Sequence, residues 1–142
     1  MAAKALMELR LPVTGGDFTQ AGEASSRIKR TLQQIGIAPG LIRRVAVVTY
    51  EAEMNIAIHA YSGSLTITIW PHQIEIVAED EGPGILNLEL AMQEGYSTAP
   101  DKIREMGFGA GMGLPNMRRS SDDLQVETEA GIGTTVRMRI NL

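Results

Sequence analysis

The sequence predicts an α+β fold, and three observations carry that expectation. Residues 64–70 and 74–80 alternate apolar with polar across a three-residue connection, and residues 123–129 and 134–140 repeat the pattern. Segments so close in sequence must pair as antiparallel hairpins. Between residues 18 and 62, apolar side chains instead recur at three- and four-residue steps, the period of a helix. A chain of 142 residues fits one domain, 1–142, and can bury a core without staples.

Each element can be justified in order. Residues 4–12 read as a strand with Ala5, Met7, Leu9 and Leu11 on one face, ending at Pro12 before the Gly15-Gly16 turn. Phe18, Ala21, Ser25, Ile28, Leu32 and Ile35 mark a first helix, and Gly36 stands where a C-terminal glycine belongs. Pro39 opens a second helix, which runs to about Ser62 with Ile42, Val45, Thr49, Ala52 and Ile56 buried. Residues 54–74 carry no formal charge and have the length of a membrane span. Asn55, His59, Pro71 and the change of period at Ser62 make that stretch a helix, a turn and a strand instead.

The first hairpin places Leu65, Ile67 and Ile69 beside Ile74, Ile76 and Ala78. A short helix over residues 87–93 follows, then a polar, glycine-rich stretch, 94–113, without apolar period. A third helix over residues 114–121 leads to the last hairpin, joined at "AGIG".

Composition removes several chemistries. There is no cysteine, and His59 and His72 are the only imidazoles, so thiol nucleophiles, disulfides and structural zinc sites are excluded or disfavoured. The net charge is −4 and the basic residues are scattered, which argues against a nucleic-acid partner. Glu8 and Arg10 interrupt the apolar run a signal peptide needs, so a cytoplasmic protein without a membrane partner is expected.

Chemistry then falls to carboxylates, amides, hydroxyls and backbone. Glu51, Asn55 and His59 lie within about 80° of arc on one side of the second helix. A carboxylate beside an amide oxygen suits a magnesium–nucleotide site, although the spacing alone more often marks a solvated face. Asp80 shares the face of Ile74, Ile76 and Ala78 and points to the covered side at its strand's end. Gly82 and Gly84 follow in "DEGPG", where a flat ligand could pass close to the backbone or the chain could simply turn. Thr134 begins the last strand on the face of Val136, Met138 and Ile140, so it and Asp80 would meet at one edge of an antiparallel sheet. The run "GFGAGMG", residues 107–113, precedes a helix whose N-terminus could receive phosphate oxygens, with Lys102 and Arg104 in a lid before it.

A helix with Glu-x-x-x-Asn, a strand ending in Asp-x-Gly-x-Gly, a lid ending in Gly-x-Gly and a terminal Gly-Thr occur here in that order. The order resembles the GHKL (Bergerat-fold) ATPases. Within that superfamily "EAEMNIAIHA", "DEGPGI", "EGYSTA", "GMGLPNM" and "GIGTTV" resemble the serine/threonine kinases of the bacterial anti-sigma regulatory group, with "GAGMGLP" nearer the stressosome switch kinases. The resemblance covers essentially the whole chain. It implies a two-layer α+β sandwich, with a mostly antiparallel mixed sheet and helices packed on one face.

It also implies roles, one position at a time. Glu51 would be the general base, Asn55 the Mg2+ ligand and Asp80 the acceptor of the adenine amino group of ATP. Gly82 and Gly84 would shape the adenine pocket, Gly109, Gly111, Gly113 and Leu114 would close on the nucleotide, and Thr134 would support adenine. His59 matches a family histidine and takes a supporting role. Met54 and Glu53 depart from the pattern, the first where a small or hydroxyl residue is common, the second as an added charge.

The function implied is phosphorylation of a STAS-domain antagonist or scaffold in a partner-switching pathway, with a sigma factor or a phosphatase as further partners. A two-fold homodimer is the default oligomer. The alternative is a nucleotide-gated protein-binding regulator with little or no transfer, against which Glu51 argues because binding needs no base. A detached histidine-kinase domain ranks lower, since no phospho-accepting helical hairpin is visible.

Overall fold

The computed structural model describes residues 4–17, 20–85, 88–93 and 113–142. Its elements run β1 (Met7–Thr14), α1 (Glu23–Gln34), α2 (Pro39–His59), β2 (Ser62–Ile69), β3 (Gln73–Glu81), α3 (Leu88–Ala91), α4 (Gly113–Ser120), β4 (Asp123–Glu129) and β5 (Gly133–Asn141). Five strands form one sheet in the order β1-β2-β3-β5-β4. Both predicted hairpins are present, and every pairing is antiparallel, so no parallel pair enters the sheet among the described residues.

Period-two alternation aligns the apolar residues of all five strands into rows. Leu9, Ile67, Ile76, Met138 and Leu124 form one row, and Leu11, Leu65, Ala78, Val136 and Val126 the next. Ile28 and Leu32 of α1, Val45, Val48 and Ile56 of α2, and Leu114 and Met117 of α4 pack with these rows in one core. The helices thus share one face of the sheet. The other face is polar: Glu75 sits 3.4 Å from Arg137 and 3.2 Å from Arg139, which also reaches Asp123. No helix among the described residues is long and apolar enough to cross a membrane.

Three elements depart most from the boundaries expected from the sequence. The first strand begins at Met7 and continues through Pro12 to Thr14. β1 lies at the sheet edge, where a missing N–H facing outward breaks no ladder bond. The first helix begins only at Glu23, after Gly22 in a left-handed conformation, and Phe18 lies outside the described residues. It ends as predicted at Gly36, φ +82°, where the Ile37 and Gly36 N–H groups donate to Leu32 and Gln33 in a Schellman motif, while Ile35 is exposed rather than buried. The second helix stops at His59, three residues early. The Tyr61 N–H already donates to the Glu81 carbonyl at 2.8 Å, which draws the chain into the sheet.

Glu53 proves to be structural. Its side chain is only 2% exposed and accepts from the N–H groups of Gly22 (3.1 Å), Ala24 (3.2 Å) and Ser25 (3.0 Å). α1 has no capping side chain of its own, so a carboxylate on the neighbouring helix satisfies its first turn and meets its positive dipole end. Met54, the other departure, is buried in the apolar interior.

Candidate functional site

The apolar rows stop abruptly at one edge. The next row on the covered face reads Val13, Gly63, Asp80, Thr134 and Thr128, so hydrocarbon gives way to a carboxylate and two hydroxyls within one strand step. Asp80 and Thr134 are direct neighbours across β3 and β5, as strand parity predicted. The Thr134 N–H donates to Asp80 Oδ1 at 3.1 Å, and the other oxygen has no partner among the described residues. Partial burial pushes the Asp80 carboxyl above its ordinary value, and the Thr134 bond opposes that rise. A half-buried carboxylate with one unengaged oxygen is suited to receive an amino group.

Two neighbours that sequence reasoning missed shape this corner. Thr128 Oγ1 lies 3.0 Å from Thr134 Oγ1 and accepts from the Ile85 N–H at 2.8 Å, pinning the loop after Asp80 to β4. Parity with Leu124 and Val126 could have found it. Gly63, beside Asp80, has no room for a side chain, since a Cβ there would lie 2.5 Å from the Glu79 carbonyl oxygen and 3.1 Å from Asp80 Cβ.

Gly82 and Gly84 have a packing explanation of their own. A Cβ on Gly82 would sit 3.0 Å from Ala60 Cα, just past the end of α2. Gly84 has φ +77°, and a Cβ there would lie 2.6 Å from the Glu129 carbonyl oxygen. The β4–β5 turn closes over this loop through the Gly131 N–H, which donates to the Pro83 carbonyl at 2.9 Å. Gly84→Ala is therefore expected to cost about 2 kcal/mol or more of stability, from the left-handed conformation and the carbonyl clash together. Urea unfolding would check it, and a loss under about 0.5 kcal/mol would contradict it.

α2 carries the second half of the site. Glu51 and Asn55 are half-buried one turn apart, whereas His59, at the helix end, is exposed. α4 packs against this stripe with Leu114, Pro115 and Met117 buried. A Cβ on Gly113 would lie 3.0 Å from Asn55 Oδ1, so the start of α4 comes directly against the Asn55 amide. Leu114 occupies the first turn with its side chain in the core, leaving only its backbone to face a ligand. Asn116, also missed in the sequence, donates from Nδ2 to Glu51 Oε1 at 3.2 Å. Nothing in the sequence indicated that these two residues, 65 positions apart, would meet.

Gly109 and Gly111, with Lys102 and Arg104, lie outside the described residues. The remaining groups form two poles on the covered side: Asp80 and Thr134 at the sheet edge, and Glu51 and Asn55 at the start of α4. The first turn of a helix leaves N–H groups without intrahelical partners, which suits phosphate oxygens. Among the described residues no three carboxylates or imidazoles converge on a metal position. A cation here would take most of its ligands from phosphate and water.

Comparisons with known proteins bear on the family and the fold. Residues 16–140 match the family described as the histidine kinase-like ATPase domain. The anti-sigma F factor of Bacillus licheniformis is 31% identical over 107 residues, 71% of this chain and 70% of that protein. That of Caldanaerobacter subterraneus subsp. tengcongensis is 42% identical over 93 residues, 62% of each chain. The serine/threonine-protein kinase RsbT of Bacillus subtilis is 31% identical over 98 residues, 66% of this chain and 68% of that one. A chain of the SiaB–SiaC complex from Pseudomonas aeruginosa shares the fold, with a TM-score of 0.63 at 16% identity over 96% of this chain and 89% of that one. The chain belongs to the histidine kinase-like ATPase family, with an ATP-binding domain of the type found in anti-sigma factors and serine/threonine kinases.

Proposed function

We propose that this protein is a serine/threonine kinase that transfers the γ-phosphoryl group of ATP to a hydroxyl of a STAS-domain antagonist or scaffold in a partner-switching pathway. The observation that carries the reading is the placement of Glu51, half-buried and one turn from Asn55, beside the start of α4. Nucleotide binding uses Asn55 and Asp80 and has no need of a second carboxylate at Glu51. The printed names of the relatives, anti-sigma factor and serine/threonine kinase, support the same class.

Asp80 would accept the adenine amino group through its unengaged oxygen, with Thr134 and Thr128 beside it. Asn55 would hold Mg2+, which when bound neutralises phosphate charge. The first turn of α4, with Gly113 and the Leu114 backbone, would receive phosphate oxygens, and Gly109 and Gly111 would complete that cradle. Glu51 would accept the hydroxyl proton as that oxygen bonds to the γ-phosphorus and the bond to the β–γ bridging oxygen breaks, leaving ADP. Most of the rate enhancement in such transfer comes from positioning and charge neutralisation.

Glu51→Ala should keep nucleotide affinity within about threefold and lower transfer by about a hundredfold or more. Incubating both proteins with magnesium and γ-labelled ATP in a lysate of the host, and then locating the label, tests this. Label on a serine or threonine of a second small protein supports the kinase and names its substrate; equal labelling by both proteins removes Glu51 from the role of base. A second reading, favoured by the anti-sigma names of the relatives, is a regulator that holds a partner according to the nucleotide bound. ATP binding without transfer by the wild type would select it. A sigma factor, a phosphatase and a second copy of this chain remain partners to be sought on that reading or the first.

A further inference from the structure

We infer that Asn116 is the positioning residue for Glu51, and that Arg119 fixes the amide in the orientation this task requires. The inference rests on the kinase reading above and gives a role to Asn116, a residue of "GMGLPNM" to which the resemblance assigned none. Asn116 Nδ2 donates to Glu51 Oε1 at 3.2 Å, and Arg119, one turn further along α4, donates to Asn116 Oδ1 at 2.6 Å.

The chemistry of the three groups leaves a single arrangement. An asparagine amide has an acceptor end and a donor end, interchangeable in shape. An ionised Glu51 carboxylate only accepts and the Arg119 guanidinium only donates, so the NH2 must face Glu51 and the carbonyl must face Arg119. The cation behind the amide also polarises it, which strengthens the N–H donated to the carboxylate.

This clamp fixes the carboxylate of a long, flexible side chain. Glu51 gives Oε1 to Asn116, which sets the plane of the carboxylate and leaves Oε2 to take a proton. α4 can hold the amide in place because Leu114 and Met117 on either side of it are buried in the core. The helix that would receive phosphate at its first turn therefore also aims the base, so both halves of the reaction depend on one rigid element. A glutamate without this restraint would reach the same geometry only part of the time, and misplacement by about 1 Å can cost roughly a hundredfold in rate.

Asn116→Asp is the discriminating variant. It keeps the shape of the side chain and an acceptor for Arg119, and it replaces the donor facing Glu51 with an oxygen. We expect transfer at saturating ATP to fall tenfold to a hundredfold, with the nucleotide dissociation constant changed less than threefold. In a Glu51→Ala background the same substitution should lower the residual rate no further. A readout independent of turnover is the Asn116 side-chain NH2 resonance of the nucleotide-free protein, which should move when Glu51→Ala removes its acceptor. Asn116→Ala supplies a second variant lacking any charge at the position, expected to fall in the same range.

Wild-type transfer with Asn116→Asp and Asn116→Ala both within twofold of it would overturn this proposal and leave the kinase reading intact. An Asn116 resonance indifferent to Glu51→Ala would also overturn it. Absence of transfer by the wild type would instead overturn the kinase reading and the catalytic role of Asn116 with it.

Discussion

Asp80→Asn is expected to weaken ATP binding about a hundredfold or more while leaving the protein folded. The variant can still accept the Thr134 N–H through its amide oxygen, but its NH2 then faces the ligand's amino group, donor against donor. A buried polar group left without a partner discriminates more strongly than a lost apolar contact. Titration calorimetry would measure the loss, and an unchanged affinity would remove Asp80 from the nucleotide site.

The same variant carries a stability signature of opposite sign. The folded-state pKa of Asp80 is raised from 3.8 because burial disfavours the charged form. Between 3.8 and the raised value the native state binds more protons than the unfolded chain, so wild-type stability falls as pH climbs through that window. Asp80→Asn removes the titrating group, and this part of the decline should disappear. Thermal melts across pH 3.5–8 without nucleotide should show a smaller fall for the variant than for the wild type. On the proposed reading, a carboxylate that the fold would rather keep neutral would be a stability cost retained for binding.

Glu53→Ala should be the most damaging single change to the fold. It withdraws one buried carboxylate from three N–H groups at the start of α1, none of which has a side-chain cap to replace it. Loss of a buried charge-assisted acceptor, with its donors left unpaired, costs about 3–5 kcal/mol. For a chain of this length that lowers Tm by about 10–15 °C. Glu53→Gln should fall between, since its oxygen still accepts while its NH2 confronts donors. A loss below about 1 kcal/mol would mean that the first turn of α1 is held by something else. Glu53 lies about 200° around α2 from both Glu51 and Asn55, so one side of the helix serves the site and the opposite side its neighbour.

Much of this was legible because periodicity reports burial. The alternation in β2, β3 and β5 located the covered face, and the parity of Asp80 and Thr134 placed them side by side before any coordinates. The helical steps likewise identified the buried face of α2. What escaped were features set by contacts distant in sequence. Pro12 reads as a stop until β1 is seen at an edge. Gly22 gives no sign that its helix is capped from another element. The glycines at 82 and 84 signalled a ligand but are also explained by the end of α2 and the β4–β5 turn. Asn116 sits on a helix whose partner no local rule names.

The dependence of α1 on Glu53 also orders events in time. A helix of 12 residues is marginal alone in water, and this one lacks the local cap that would help it nucleate. Its missing acceptor is 28 to 31 residues further along the chain. During synthesis α1 leaves the ribosome well before Glu53 does, and closing that loop carries an entropy cost that must be met before the contact forms. α1 should therefore acquire protection from hydrogen exchange only together with α2, as one cooperative unit whose later half licenses the earlier.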